Sequence, residues 1–250
     1  MKDIGFYAEK AGIFLTKEQY LKFQEYGKLL TEWNDRINLT SIILPEEIAL
    51  KHFSDSICVI PYIMKALEKS GKIIEGASMS CIEFSMIDIG SGAGFPGIPI
   101  KILCPRISLT LLDSTNKKLV FLDEVINALA LDQCMTIHSR AEDGARSGDY
   151  REKFDVAIAR AVSGMPALSE YCLPYVKVGG FFTAMKSNVN EELESADRAI
   201  RILGGEVEEC HEFLLPESDI HRSVVIIRKV AKTPAAYPRK AGKPEKEPIL

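Results

Sequence analysis

Hydrophobic residues in the first eighty positions recur at steps of three and four, which is the spacing of amphipathic helix faces. A Thr16–Gln19 pair predicts a capping box at the start of a helix that runs to about Ile37. A second helix is predicted to begin at Pro45, with acidic residues in its first turn. Residues 68–80 are small and polar and are interpreted as a loop. We therefore predict an N-terminal helical extension over residues 1–80.

The pattern changes near Phe84. Short runs rich in Ile, Leu and Val now alternate with stretches of helical spacing, which is typical of βαβ units and a parallel sheet. The runs are SMIDI, LTLLD, CMTIHS, FDVAIAR and GGFFTAM. A last apolar run, SVVIIRKV, follows without a clear intervening helix, so we expect an antiparallel final strand. Residues 81–231 are thus predicted to form a doubly wound α/β domain with helices on both faces of its sheet.

The last segment, residues 232–250, differs in composition from the rest of the chain. It holds four prolines, five basic residues and two acidic residues, a net charge of +3, whereas the whole chain carries −4. We expect this basic, proline-rich tail to be extended or disordered; an ordered strap packed on the domain is the alternative. Because the chain as a whole is acidic, any affinity for RNA must come from local patches and from this tail.

Composition narrows the class of protein further. Hydrophobic residues make up 46% of the chain, enough for a sizeable core. No apolar run approaches the roughly 20 residues that span a bilayer, and the start does not resemble a secretory signal. The six cysteines contain no CxxC pair and the four histidines are scattered, so neither a disulfide framework nor a metal site is indicated. We expect a cytoplasmic protein without a metal and without a membrane partner.

The sequence DIGSGAGFPG, residues 88–97, carries the most chemical information. Its glycines allow a sharp turn and a close approach of the backbone to a ligand. Three of them match the dinucleotide pattern GxGxxG, so NAD is one alternative and a ligand-free turn is another. Asp88 would repel a pyrophosphate but would face a cationic amino-acid moiety. Asp113 ends the next strand, 25 residues later, where it could accept both ribose hydroxyls. Together these two acids favour S-adenosylmethionine as the cofactor.

A further polar group, Arg140-Ala141-Glu142-Asp143, follows the third predicted strand. In a doubly wound sheet this position lies at the carboxyl edge, beside the ligand crevice. An acidic side chain or a backbone group there could recognise the adenine amino group by a hydrogen bond. A plain cluster of acids at the start of a helix is the alternative interpretation.

These motifs resemble those of the bacterial small-subunit ribosomal RNA guanine-N7 methyltransferases, the RsmG or GidB family. The similar stretches cover roughly residues 15–244 and are EWNDRINLTSI, KHFSDSI, DIGSGAGFPGIPI, LLDSTNKKLVFL, SRAED, FDVAIARAVS, AMKS and YPRKAGKP. The family usually has lysine and then arginine where this chain has Lys117-Lys118. The resemblance implies a seven-stranded, mostly parallel, Rossmann-like class I methyltransferase fold with an N-terminal helical extension.

The resemblance also implies a reaction and its partners. The methyl group of S-adenosylmethionine would go to N7 of one guanine in the decoding-region loop of 16S ribosomal RNA, either naked or in a small-subunit precursor. By resemblance, the cofactor contacts are Gly90, Phe95, Ala141, Glu142 and Arg160. The chemistry and spacing of the residues, without the resemblance, add further cofactor-binding candidates: Asp88, Gly92, Gly94, Asp113 and Ser114.

The chemistry of this reaction suggests which side chains would serve it. Guanine N7 has a free lone pair in the neutral base, so no general base is needed and catalysis should come mainly from positioning. Arg140, Arg160 and Lys186 lie at predicted strand ends, and we assign them to RNA phosphates or guanine O6. Ordinary solvated strand-end charge is the alternative for each. His52 and Asp55, on the second helix, could line the RNA entrance or form a structural pair.

Other functions explain part of the sequence. A methyltransferase for another RNA, a small molecule or a protein would account for the glycine loop, but not for the basic tail or KHFSDSI. In a catalytically inactive RNA-binding module, the glycine motif of the cofactor loop would be disrupted, whereas it is intact in this chain. An NAD dehydrogenase would have to accept phosphates beside Asp88. Ribosomal RNA methylation therefore accounts for more of the chain than these alternatives.

Overall fold

The computed structural model describes residues 2–250, except the side chains of residues 190 and 191. Helices occupy the first part of the chain, and alternating helices and strands occupy the rest. The helices are α1 (Ile4–Lys10), α2 (Lys17–Ile37), α3 (Pro45–Ile48), α4 (Asp55–Ile57), α5 (Ile60–Lys69), α6 (Gly97–Leu103), α7 (Asn116–Ala128), α8 (Ala141–Gly144), α9 (Met165–Cys172), α10 (Asn190–Ile202) and α11 (Lys243–Lys246). The strands are β1 (Ser85–Ile89), β2 (Ser108–Asp113), β3 (Cys134–His138), β4 (Phe154–Arg160), β5 (Val176–Lys186), β6 (Gly205–Leu214) and β7 (His221–Lys229).

The seven strands form one sheet in the order β3-β2-β1-β4-β5-β7-β6. Strands β1 to β5 pair in parallel, and β7 runs antiparallel to both β5 and β6. The predicted Rossmann-like sheet, mostly parallel with an antiparallel last strand, is therefore confirmed. The strand order reverses at β1, whose neighbours are β2 and β4. In sheets of this kind, ligands bind in the crevice outside the carboxyl ends of the strands at such a switch point.

Two hydrophobic clusters cover the two faces of the sheet. On β1, Met86 belongs to one cluster and Ile87 to the other, as alternate side chains of a strand buried on both faces must. The first cluster includes Phe23 and Leu30 of α2, and α2 contacts both α6 and α7. The helical extension therefore packs on this side of the sheet, with α2 against α6 and α7 and with α5 directly against β5 and β7. Within residues 2–250, none of the helices combines the length and apolar character needed to cross a membrane.

The helical predictions for the N-terminal part are largely confirmed. The Thr16 N–H donates to Gln19 Oε1 at 2.9 Å and the Gln19 N–H donates to Thr16 Oγ1 at 3.2 Å, which closes the capping box. The predicted helix at Pro45 also begins there, but a π-helical segment, Ala49–Ser54, separates α3 from α4. Such segments occur frequently at functional sites, and this one carries His52.

Strand β6 was not assigned by sequence analysis. It lies at the edge of the sheet beside β7, and most of its side chains are partly or fully exposed. Its sequence, GEVEECHEFL, contains four glutamates and lacks the Ile, Leu and Val runs of the central strands. Glu209 on this strand forms ion pairs with Lys65 and Lys69, which tie the edge strand to α5.

The prediction that residues 232–250 are extended or disordered is wrong. This segment, which we call the C-terminal strap, packs on the domain and contains α11. Arg239 forms an ion pair with fully buried Glu170, with Nη2 and Oε2 2.7 Å apart. Arg151 donates hydrogen bonds to the carbonyl oxygens of Thr233 and Tyr237, each at 2.8 Å. Composition predicts disorder from a shortage of apolar residues, but it does not detect polar anchors to distant parts of the chain.

Candidate active site

Two cavities lie side by side at the carboxyl edge of the sheet. The first, which we call the loop cavity, has a volume of about 450 Å³ and is lined mainly by residues at or just after the ends of β1, β2 and β3, together with part of the C-terminal strap. The second, the basic cavity, has a volume of about 390 Å³ and is lined mainly by residues at the ends of β4 and β5 and the start of β7, together with the π-helical segment. Ala161 lines the basic cavity and its neighbour Val162 lines the loop cavity, so the two cavities meet at this residue pair.

The loop cavity brings together residues from three separate segments, as the doubly wound topology predicts. Six of the predicted site residues line it: Gly90, Asp113, Ser114, Arg140, Ala141 and Glu142. Arg140 was grouped with Arg160 and Lys186 as an RNA-positioning residue. The structure separates them, because Arg140 lies at the loop cavity and the other two lie at the basic cavity.

Gly92 turns its open side towards solvent. Its φ is +59°, and a Cβ added there would meet no atom closer than the Gly90 carbonyl oxygen at 3.9 Å. The Gly92 N–H donates to Asp113 Oδ2 at 3.0 Å, while Asp113 Oδ1 accepts from the Thr115 N–H at 2.8 Å. Asp113 thus ties the glycine loop to the turn that follows β2. Gly92 itself lines neither cavity, whereas Gly90 of the same loop lines the loop cavity.

Gly94, a predicted cofactor contact, is packed tightly against α2 and lines neither cavity. A Cβ at this position would lie 2.5 Å from the Tyr26 hydroxyl, 2.8 Å from Ile98 and 2.9 Å from Leu122. The close approach of protein atoms, rather than of a ligand, therefore requires glycine here. The Tyr26 hydroxyl also donates to the Ala93 carbonyl oxygen, so α2 supports the loop from behind.

Asp88 is fully buried beneath the loop and lines neither cavity. Its Oδ2 accepts a hydrogen bond from the Gly97 N–H at 2.8 Å, and a Cβ on Gly97 would collide with this carboxylate. The third glycine of the GxGxxG pattern is thus explained by packing. Asp88 Oδ1 has no hydrogen-bond partner among the described residues. Burial raises the pKa of Asp88 to about 7, although the Gly97 hydrogen bond acts in the opposite direction.

An aromatic stack connects the N-terminal helices to the basic cavity. The Phe95 ring stacks with Tyr26, at a centroid distance of 5.3 Å, and with His52, at 4.5 Å with nearly parallel planes. The Arg160 guanidinium lies over the same Phe95 ring, 5.1 Å from its centroid. Phe95, a cofactor contact by resemblance, is therefore buried in this stack and does not line the loop cavity.

His52 holds Arg160 as a neutral ring. Burial and the positive charge of Arg160 lower the pKa of His52 to about 4. The Arg160 Nη2 lies 3.4 Å from His52 Nδ1, which must accept, so the proton sits on Nε2, 2.9 Å from Thr40 Oγ1. Arg160 Nη1 also donates to Asp55 Oδ2 at 3.1 Å. The structure thus brings His52, Asp55 and Arg160 together at the basic cavity.

Lys186 reaches the same cavity from the end of β5. Its ammonium group donates to Glu192 Oε2 at 2.6 Å and to the Ser163 carbonyl oxygen at 2.7 Å. Val162, next to Ser163, packs so closely on the glycine loop that a Cβ on Gly90 would lie 2.8 Å from it. Lys186 therefore fixes the short segment that separates the two cavities.

The C-terminal strap forms one wall of the loop cavity, through Gly242, Glu245 and Lys246. The Gly242 N–H donates to Glu142 Oε1 at 2.7 Å, and Glu245 Oε2 accepts from the Ser163 hydroxyl at 2.7 Å. Sequence analysis missed this wall, because no local pattern marks contacts between residues 82 and 100 positions apart.

No metal centre is found in the part of the chain that the structure describes. Among those residues, His, Cys, Asp and Glu side chains do not gather in a group of three or more that could hold a metal ion. All six cysteines are free thiols.

Comparison with known proteins places this chain among methyltransferases. The family model described as rRNA small subunit methyltransferase G (GidB) matches residues 19–221. The ribosomal RNA small subunit methyltransferase G of Acetivibrio thermocellus is 49% identical, over 95% of this chain and 92% of that protein. The protein of the same name from Desulforamulus reducens is 48% identical, over 94% and 92%. Among solved structures, TrmN from Thermus thermophilus is similar, with a TM-score of 0.48 and 13% identity over 73% of this chain and 53% of that chain. The family match and the two relatives, nearly half identical over almost their whole length, show that the chain belongs to the rRNA small subunit methyltransferase G family.

Proposed function

We propose that this chain transfers a methyl group from S-adenosylmethionine to N7 of a guanine in 16S ribosomal RNA. The observation that carries the proposal is the meeting of two chemically different cavities at Ala161 and Val162. One cavity is built on an open glycine loop with acidic side chains, and the other holds four basic side chains. The small-subunit RNA as substrate is supported by the names of the relatives.

The residues of the loop cavity fit S-adenosylmethionine. When bound, this cofactor supplies an activated methyl group on a positively charged sulfur. The cavity is lined by three acids, Asp113, Glu142 and Glu245, against two bases, Arg140 and Lys246. This balance favours a cationic ligand over the pyrophosphate of NAD.

We assign individual roles within the loop cavity as part of the proposal. Asp113 and Ser114 would face the ribose, and Ala141 and Glu142 the adenine. Both Asp113 oxygens already accept backbone hydrogen bonds. Each carboxylate oxygen has a second lone pair, so ribose hydroxyls can bind without displacing the loop. Gly90 would provide the close backbone approach in the cavity, next to the open side of Gly92.

Asp88, Gly94 and Phe95 act from behind the cavity in this account. Asp88 binds the start of α6 through Gly97, Gly94 permits the close packing of α2, and Phe95 supports Arg160. They shape the loop rather than contact the cofactor. The sequence predicts direct contacts between these three residues and the cofactor, whereas this proposal gives them a supporting role.

The basic cavity would receive the target guanine. Since N7 offers a free lone pair, no side chain has to remove a proton, and orientation is the main contribution, which can lower a barrier by ~7–11 kcal/mol. The methylated base gains positive charge, so the cations must be held in place away from N7. Arg160 is bound to Asp55 and Lys186 to Glu192, which restrains both.

A methyltransferase for another RNA or a small molecule would share the loop cavity and differ in what enters the basic cavity. Four basic side chains there, Lys51, Arg160, Lys186 and Arg222, outnumber the acids Asp55 and Glu192. This surplus favours a polyanion over a neutral small molecule. As an enzyme acting on 16S RNA or a small-subunit precursor, the protein would work in the cytoplasm.

The proposal is tested with purified protein in two steps. Calorimetry should show binding of S-adenosylhomocysteine and no binding of NAD. Labelled S-adenosylmethionine should then modify 16S RNA that lacks this methyl group, supplied naked or in small subunits, but not 23S RNA or transfer RNA. Preferential binding of NAD, or transfer to another RNA with 16S RNA unmodified, would overturn the proposal.

A further inference from the structure

Asp55 holds two arginines at the basic cavity at the same time. Its Oδ2 accepts from Arg160 Nη1 at 3.1 Å and its Oδ1 accepts from Arg222 Nε at 2.9 Å. The carboxylate is almost completely buried, at 2% exposure, so the geometry of this three-residue group is defined by the fold. One carboxylate balances only one of the two guanidinium charges. The pair therefore presents a surplus positive charge to the cavity.

Arg222 lies at the carboxyl edge of the sheet because its strand runs in the opposite direction. It is the second residue of β7, and its neighbour Ser223 pairs with Lys186, the last residue of β5. Arg160, Lys186 and Arg222 thus occupy the edge positions of three successive strands, β4, β5 and β7. Neighbouring strands are about 4.8 Å apart, so this row extends away from the loop cavity by roughly two strand spacings.

We propose that Arg222 binds a backbone phosphate of the target RNA, and that Asp55 is a positioning residue that fixes Arg222 relative to Arg160. This inference rests on the proposed function. The reacting base must lie at the end of the row next to the loop cavity, where Arg160 is. The sugar–phosphate backbone of the same strand must then leave the site in the direction of Arg222.

The chemistry of Arg222 fits a phosphate. Its side chain is 21% exposed, so it can reach a ligand while its Nε stays on Asp55. A second hydrogen bond, from Nη1 to the His221 carbonyl oxygen at 2.9 Å, restrains the guanidinium further. A restrained guanidinium loses little side-chain entropy on binding, and charge-assisted hydrogen bonds to phosphate are among the stronger ones in proteins. In an acidic chain, such fixed local charges must supply the attraction for RNA.

The test compares Arg222→Gln with Arg228→Gln. Arg228 lies on the same strand at the opposite end, half exposed and paired with Glu206 and Glu208, so it controls for a general loss of charge. For Arg222→Gln we expect KM for 16S RNA to rise about tenfold, with most of the effect on KM rather than kcat. The slope of log affinity for RNA against log salt should become shallower by about one unit, as expected for one lost phosphate contact. Cofactor affinity should be unchanged, and Arg228→Gln should behave as the wild type.

Two further variants distinguish a direct contact of Arg222 with RNA from a role in supporting the structure. Arg222→Lys keeps the charge, so its salt slope should return to the wild-type value even if KM stays raised. Asp55→Asn releases both arginines, so kcat should fall as well. An Arg222→Gln protein with unchanged KM and salt slope, beside an active wild type, would overturn the inference and leave the proposed function standing. Loss of cofactor affinity in Arg222→Gln would also overturn it, because it would indicate a structural role. An inactive wild type with bound cofactor would instead count against the proposed function.

Discussion

Glu142 of α8 accepts a hydrogen bond from the backbone N–H of Gly242 at 2.7 Å, although the two residues are 100 positions apart in the chain. This bond holds the C-terminal strap over the loop cavity, where Gly242, Glu245 and Lys246 form part of the wall. A ligand that fills the cavity would therefore contact the strap as well as the glycine loop. The strap is part of the candidate site rather than an appendage to it.

The strap should contribute to stability through Arg239. Glu170, its partner, is fully buried, and removal of one member of such a pair leaves an uncompensated charge in the core. We expect Arg239→Gln to lower the free energy of unfolding by about 3–5 kcal/mol and to weaken binding of S-adenosylhomocysteine. Denaturant unfolding and calorimetry measure the two effects.

Lys240→Gln is the matched control, since Lys240 is the exposed neighbour of Arg239. It should change neither quantity. Deletion of residues 232–250 should lower the Tm, whereas removal of a disordered tail would alter only the salt dependence of RNA binding. An unchanged Tm after the deletion would contradict the packed arrangement.

Substitutions of Gly92 and Gly94 should have different effects. Gly92→Ala places a methyl group in open space at a positive φ, which costs about 1–2 kcal/mol of stability and should reduce cofactor affinity. Gly94→Ala adds a collision with Tyr26 and Leu122, and overpacking of this kind costs a further ~1–3 kcal/mol. Thermal unfolding with and without S-adenosylhomocysteine distinguishes them. Normal cofactor affinity in a folded Gly92→Ala variant would mean that the ligand lies elsewhere.

Asp113 should matter for both the loop and the cofactor. Asp113→Ala removes the acceptor for the Gly92 and Thr115 N–H groups together with the proposed ribose contact. A charge-assisted bond contributes about 1.5–3 kcal/mol, so we expect cofactor affinity to fall by roughly one to two orders of magnitude. Asp113→Asn keeps an oxygen for one backbone bond and should lose less. Equal affinity in all three proteins, measured by calorimetry, would remove Asp113 from the site.

Asp88 should make the fold less stable as the pH rises. Its pKa is raised by burial from 3.8 to about 7 in the folded protein, so the folded state binds more protons than the unfolded state between these values. The free energy of unfolding should therefore decrease from about pH 4 to pH 7, and this contribution is largest at the acidic end. Asp88→Asn should abolish that part of the pH dependence. Denaturant unfolding at pH 5 and pH 8 provides the comparison, and identical pH profiles for the two proteins would contradict the assignment.

Much of the sheet could be predicted from the sequence because its strands are buried on both faces. The five strands inside the sheet, β2, β1, β4, β5 and β7, each contain an apolar run, and the helix between β2 and β3 shows regular spacing, so local patterns were sufficient. Strand β6 was missed because an edge strand with four glutamates in ten residues lacks that signal. The antiparallel direction of β7 was predicted because no clear helical pattern directly precedes its apolar run.

The site was predictable in its outline but not in its contacts. The positions of Asp113, Ser114 and Glu142 at the carboxyl edge follow from topology alone, and all three line the loop cavity. The sequence pattern could not separate Gly92 from Gly94, since only the packing of α2 makes one open and the other closed. The strap wall and the Asp55–Arg222 pair depend on contacts across 100 and 167 positions, which no local pattern encodes.

The most direct test of the account is to identify the modified atom. Ribosomal RNA from cells that lack this protein, treated with the purified protein and S-adenosylmethionine, would be digested and analysed by mass spectrometry and by chemical cleavage at 7-methylguanosine. We predict a single new 7-methylguanosine, in 16S RNA, with no new methyl group in 23S RNA. A methyl group on another atom or another RNA, or none at all from a folded protein that binds S-adenosylmethionine, would contradict the account.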